Sequence, residues 1–170
     1  TKSFAYFKST SDYWRVRVNQ EVGTPLSDSV GAPIDSTIDL SGHKLTLSYA
    51  TGCGTITDIV GGGELWIDVP AGSVTENASL SFTGSLKLVK DGAGTFTAFK
   101  AGQTYTGGTV VMNGLAKSGA YNGAWGPAKA LITIADGAAF DWAGKVNDNT
   151  QTPYSFAIAG DGPDDAGAMI

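Results

Sequence analysis

Short runs of alternating apolar and polar residues recur along the chain, each entered through glycine or a small polar residue. They lie at 42–47, 62–67, 84–88, 107–112 and 130–134. Alternation over four to six residues predicts β-strands with one buried face. The first apolar residues of these strands are Leu45, Leu65, Leu86, Val110 and Ile132, in steps of 20, 21, 24 and 22. Such a period suggests one coil of a solenoid, each coil laying its strand on the last. Two residues further on stand Leu47, Ile67, Leu88, Met112 and Ile134. Both columns are apolar throughout, as inward positions should be. Between them fall Thr46, Trp66, Lys87, Val111 and Thr133, and before them Lys44, Glu64, Ser85, Thr109 and Leu131. These mixed columns are predicted to face outward. The pattern predicts an all-β, right-handed parallel β-helix with coils of 20–24 residues. A β-sandwich is the alternative, but it explains the alternation and not the period.

A second strand per coil is predicted at 37–40, 55–57, 79–82, 95–97 and 139–142, with Gly and Asn-Gly turns between strands. Residues 1–34 do not fit the period and are predicted to form a cap or an irregular first coil. Within them 14–18 alternates as a strand, and a weak helical pattern covers 3–8. The β-helix is expected over 35–170, with a loop insertion at about 117–129. The chain opens without Met and stops after a strand-like lead-in, so it reads as a piece of a longer protein.

Composition narrows the picture. Charged residues are only 16 % of the chain and glycines number 24, which suits a turn-rich β-protein more than a charged enzyme surface. The net charge of −5, with scattered Lys and Arg, opposes nucleic-acid binding, which needs clustered cations facing phosphates. The apolar runs have strand length, so no segment is expected to insert in a membrane. A single cysteine, Cys53, forbids an internal disulfide, which does not exclude export.

Residues 89–115 carry a more specific pattern: Lys90-x-Gly92-x-Gly94-Thr95, then Thr104-Tyr105-Thr106-Gly107-Gly108-Thr109, then Asn113-Gly114-Leu115. This resembles the autotransporter-associated β-strand repeat of bacterial surface proteins, with Phe96-Thr97-Ala98-Phe99 in place of the usual Leu-Thr-Leu. The stretch 132–142 is similar to what often follows that repeat, so the resemblance covers roughly 85–145. It implies a β-helical passenger segment of a secreted or outer-surface protein, a scaffold carrying adhesive or enzymatic parts. It brings no catalytic residues.

Candidate chemistry is sparse. His43 is the only histidine and follows a turn glycine, so a surface role outweighs a triad. Cys53 has no metal-ligand spacing around it. The solenoid alignment sets Asp68 against Ser48 and Val89, so no carboxylate pair is expected there, and only Asp39 and Asp58 would approach, if Ile38 and Ile56 stack. Asp161, Asp164 and Asp165 form an acidic turn with calcium-type oxygens but without an EF-hand pattern. Gly61-Gly62-Gly63 lacks the residues of a phosphate loop, and Thr-x-Thr pairs are too irregular for an ice-binding ladder.

Aromatic residues give the best ligand hint. Trp66 is predicted outward, stacked beside Lys87, where it either packs on the lysine or offers its ring to a sugar. Tyr121 and Trp125 lie in the insertion, where they either anchor the loop or meet a glycan or receptor. The expectation is a non-enzymatic structural or adhesive passenger segment, extracellular or on a bacterial surface, needing no cofactor. A carbohydrate-binding segment is one alternative. A non-catalytic fragment of a β-helical polysaccharide-active enzyme is the other. Its partners would be a glycan, a host or surface receptor, or another chain associating end to end or capping an open strand edge.

Overall fold

A computed structural model describes residues 6–10, 13–17, 36–47, 56–120, 123–145, 154–165 and 167–170. The strands are β1 (Tyr6–Thr10), β2 (Tyr13–Arg17), β3 (Ser36–Asp39), β4 (Lys44–Leu47), β5 (Ile56–Val60), β6 (Gly63–Asp68), β7 (Val74–Asn77) and β8 (Ser81–Phe82). They continue with β9 (Leu86–Asp91), β10 (Thr95–Ala98), β11 (Thr109–Val111), β12 (Gly114–Ser118), β13 (Leu131–Ile134), β14 (Ala138–Asp141) and β15 (Ser155–Ile158). A short 3-10 helix, Pro163–Asp165, is the one helical element among the described residues.

Strands stack in three sheets. An eight-stranded sheet runs β1-β2-β4-β6-β9-β11-β13-β15, a four-stranded sheet β14-β12-β10-β7, and a three-stranded sheet β3-β5-β8. Among the described residues all strand pairs are parallel except β1·β2. Parallel pairing between strands a full turn apart makes this a parallel β-helix and excludes the sandwich, which is built from antiparallel neighbours. Successive turns visit the sheets in order: β5, β6, β7, then β8, β9, β10. In the next turn Thr104 and Thr106 donate to the Phe82 and Gly84 carbonyls, extending the small sheet, before β11 and β12. The strands at 37–40, 55–57 and 79–82 therefore belong to one sheet, and those at 95–97 and 139–142 to another. Residues 6–8, the described part of the weak helical pattern at 3–8, lie in β1, which pairs antiparallel with β2, as suits a segment with Tyr, Phe and Thr.

The register sharpens the columns. Leu45 faces Leu65, then Leu88, Thr109, Ile132 and Phe156, in steps of 20, 23, 21, 23 and 24. The second inward column is Leu47, Ile67, Lys90, Val111, Ile134 and Ile158. Leu86 thus lies two residues off its expected place. It remains buried, because a shift of two keeps the same face. Val110 lies one residue off, and a shift of one reverses the face. Val111 is buried, while Met112, expected inward, is exposed. Thr109 takes the inward place, its hydroxyl meeting that of buried Tyr105 at 2.6 Å. The pair satisfies two polar groups that would each be costly alone.

The turns need glycine where coils touch. A Cβ on Gly107 would stand 2.4 Å from the Leu86 carbonyl oxygen, and one on Gly94 2.3 Å from that of Pro70. Both glycines belong to the repeat-like motif.

In the four-stranded sheet the inward column reads Thr75, Phe96, Ala116 and Phe140. Ala116 leaves a gap between two phenyl rings. Trp125 fills it from the loop after β12, with its ring edge-to-face to Phe96 at 5.7 Å and to Phe140 at 5.1 Å. The insertion thus starts after Ser118, since 117–118 complete β12.

Candidate functional site

The outward face of the eight-stranded sheet carries the densest group of reactive side chains. Alternation along β6 brings Glu64, Trp66 and Asp68 to one surface. Stacking then places Lys44 and Lys87 on either side of Glu64, and Thr46 and Val89 on either side of Trp66. Lys87 therefore neighbours Glu64, not Trp66 as the sequence alignment predicted.

Trp66 is partly exposed and well tied down. Its Nε1–H donates to Glu64 Oε2 at 2.8 Å, and the Lys44 ammonium lies 3.3 Å from the ring centroid. The cation–π contact expected at this tryptophan exists, but with Lys44. Lys87 Nζ donates to Glu64 Oε1 at 3.5 Å, both side chains being about two-fifths exposed. A pair so exposed contributes about 0–1 kcal/mol. The Trp66 indole bond, then the Lys87 and Lys44 ammonium groups, hold the Glu64 carboxyl below its usual range against a smaller effect of burial. Glu64 thus stays ionised into mildly acidic solution. Its contribution to stability is lost only as pH falls through that lowered value.

One strand step along the same face, Asp68 stands in register with Asp91. This corrects the expectation that Asp68 has no acidic neighbour. The two-residue shift at β9 replaces Val89 by Asp91 in that column. Adjacent parallel strands lie about 4.8 Å apart, which falls near the separation of paired carboxylates in retaining glycosidases. Asp91 is held in its ionised form. Asn113 Nδ2 donates to Asp91 Oδ1 at 2.7 Å and the Gly92 N–H at 2.8 Å. The Asn113 bond first, with the Gly92 amide and Lys90 adding to it, keeps Asp91 below the ordinary carboxylate range. A general acid needs the opposite shift, so Asp91 does not fit that role. Asp39 and Asp58 are not register partners: Asp58 faces Thr37, and Asp39 faces Val60.

The remaining candidates separate. Trp125 is 0 % exposed, and its Nε1–H donates to Ser118 Oγ at 2.9 Å. It is a core residue and offers no surface to a glycan, so its loop-anchoring role holds and its ligand role does not. Tyr121 and Cys53 lie outside the described residues. His43 is exposed at the turn before β4. Asp161 and Asp165 border an open hollow of about 360 Å³ near the end of β15, and Asp164 lies in the 3-10 helix between them. Among the described residues no three His, Cys, Asp or Glu side chains are grouped as a metal site would require.

Sequence reasoning missed Lys90. It occupies an inward position between Ile67 and Val111 and is fully buried. Its ammonium donates to the backbone carbonyls of Asp91 at 3.0 Å and Asn113 at 2.8 Å, and to that of Gly92. Three donors meet three acceptors from two successive turns. Burial nevertheless lowers its pKa to about 8, against a smaller opposing pull from Asp91 and Asp68. The available signal was its place in the Lys-x-Gly-x-Gly-Thr motif, where carbonyl-rich turns surround it.

Compared with family models, curated proteins and solved structures, the chain matches none.

Proposed function

We propose that this chain is a rigid scaffold segment of a secreted or cell-surface bacterial protein, adhesive in role and not itself an enzyme. The observation that carries this reading is the use to which residues 89–115 are put. They span a little more than one full turn, and their motif residues serve its geometry: Lys90 gathers turn carbonyls, Gly94 and Gly107 admit close backbone approach, and Asn113 ties its turn to Asp91. A segment so committed to stacking is what a passenger-type repeat requires. Long parallel ladders over a dry core make a stiff rod that displays loops.

The test is twofold. Amide exchange is expected to be slowest in β6, β9 and β11, and incubation with a panel of neutral and acidic polysaccharides is expected to release no new reducing ends. Release that vanishes when Asp68→Asn and Asp91→Asn are combined would replace the scaffold reading with an enzymatic one.

The Lys44–Trp66–Glu64–Lys87 cluster favours a second reading, recognition of a glycan on the flat sheet face. One face of Trp66 already carries Lys44, so a sugar must displace that ammonium or approach the ring elsewhere. Glycan-array binding by this route is expected to be lost in Trp66→Ala and weakened by salt, with thermal stability unchanged. Binding that survives Trp66→Ala would remove the cluster from consideration.

A further inference from the structure

The outward face of the eight-stranded sheet is built from three columns, because every second residue of a strand points the same way. The middle column is its least polar part. Trp66, Val89 and Val110 follow one another there in register, and Val89 is buried. The two outer columns differ in charge. The one nearer the strand starts carries Lys44, Glu64 and Lys87, two cations around one anion. The one nearer the strand ends carries Asp68 and Asp91.

Beyond β9 the outer columns differ in size instead. Level with β11 they hold Gly108 and Met112, and level with β13 Leu131 and Ala135. Backbone bonds fix these levels: Leu88 donates to the Gly108 carbonyl, Met112 to that of Lys90 and Ala135 to that of Val111. A Cβ on Gly108 would stand 3.9 Å from that of Leu131. Each level thus sets one large apolar side chain against a minimal one, and the large one changes sides between levels. Met112 is 39 % exposed and Leu131 49 %. Charge and size are therefore both opposed across the middle column, in the body of the sheet.

We propose that this face pairs with the same face of a second copy of the chain, about a two-fold axis parallel to the stacking direction. Such an axis reverses the strands and keeps the levels. Each position near a strand start then meets the position near the strand end of the other copy. Lys87 faces the Asp91 of the second copy, Met112 fills the space over its Gly108, and Leu131 the space over its Ala135. Every contact is made twice, as an isologous interface requires. Trp66, Val89 and Val110 meet their own copies along the axis, between sheets about 10 Å apart. Glu64 and Asp68 meet at the β6 level, where Lys44 and Lys87 on either side of Glu64 offset their repulsion. A two-fold along the strands would instead set one aspartate column against the other, which like charges oppose. Pairing goes beyond the scaffold reading and fails separately from it, since a monomeric rod remains a scaffold. It competes with a glycan for the Trp66 surface.

Sedimentation of the 170-residue chain tests it. Average mass is expected to rise with concentration and to level off at twice that of one chain. Met112→Lys, at an exposed position, is expected to weaken association by about tenfold or more. Lys87→Glu and Asp91→Lys, each made alone, are expected to do the same, because each sets like charges face to face. An equimolar mixture of these two single variants is expected to recover association, since each chain then carries the charge that the other needs. Damage within one chain cannot be repaired by mixing. Circular dichroism identifies any variant that fails to fold, and Met112→Lys stands without the charge pair. A strict monomer at every concentration overturns the proposal and leaves the face to a glycan. Mass that grows past the dimer, association indifferent to Met112→Lys, or a mixture of folded variants that stays monomeric also overturns it.

Discussion

Trp125→Ala is expected to lower stability by about 3–5 kcal/mol, the cost of deleting a large buried aromatic side chain. For a protein of this size each kcal/mol lowers the melting temperature by roughly 2–4 °C, so the midpoint should fall by about 10 °C or more. Two losses combine. The indole fills the gap that Ala116 leaves between Phe96 and Phe140. Its Nε1–H satisfies Ser118 Oγ. The backbone amide at 125, which the substitution keeps, donates to the Tyr154 hydroxyl at 3.3 Å and holds the loop to an aromatic group in which Tyr154 stacks on Trp142. Trp125→Phe should recover a large part of the loss while leaving Ser118 unsatisfied. Trp66→Ala is the control. Its ring is partly solvated and its partners are exposed ions, so a change under about 1 kcal/mol is expected. Thermal and urea unfolding of the three variants measure this. A small effect at Trp125 would show that the loop does not seal the core.

The contrast between these tryptophans shows where sequence pattern carries information. Trp66 sits inside a periodic strand, so its outward direction followed from alternation with Leu65 and Ile67. Trp125 sits in a stretch with no period, and nothing local marks a loop residue that folds back into the core. The gap that receives it is made by Ala116, one turn away from both phenylalanines it separates. The inward columns were legible at Leu45, Leu65, Leu47 and Ile67, where coil length is 20 and no polar residue intrudes. They slipped at Leu86 and Leu88 because two inward leucines offer equivalent registers, and only backbone pairing chooses between them. They reversed at Val110 because Thr109 looks outward until its hydroxyl partner, Tyr105, is found. The Asp68–Asp91 pair was missed through the first of these slips. The division of the weaker strands between two sheets was hidden because both kinds are short and similar in composition.

Lys90 was the least legible position of all, and replacing it should have the other large effect. A charged residue in a strand reads as outward, yet its stem completes an apolar column and its ammonium serves three carbonyls. Lys90→Met keeps the stem and removes the donors. Leaving buried carbonyls unpaired costs about 1–3 kcal/mol for each group without another partner, so a loss of roughly 2–4 kcal/mol is expected. Lys90→Ala should lose more, because a cavity adds to the orphaned carbonyls. The dependence on pH separates this from simple packing. The lysine titrates near 10.5 when unfolded and near 8 when folded. Between those values the unfolded chain binds more protons, so wild-type stability rises with pH through that window. The burial penalty on the charge is fully present below about pH 8, and the neutral amine still donates two hydrogen bonds above it. Lys90→Met has no such group, so its deficit relative to wild type should widen from pH 7 toward pH 10. Urea midpoints for both proteins across that range measure the difference, and other titrations cancel in the comparison. A methionine variant as stable as wild type at pH 7 would mean that desolvating the ammonium outweighs its three bonds, as happens when buried ions are replaced by apolar isosteres. A deficit that narrows toward pH 10 would instead place the folded lysine above its ordinary range, with the carbonyls dominating burial.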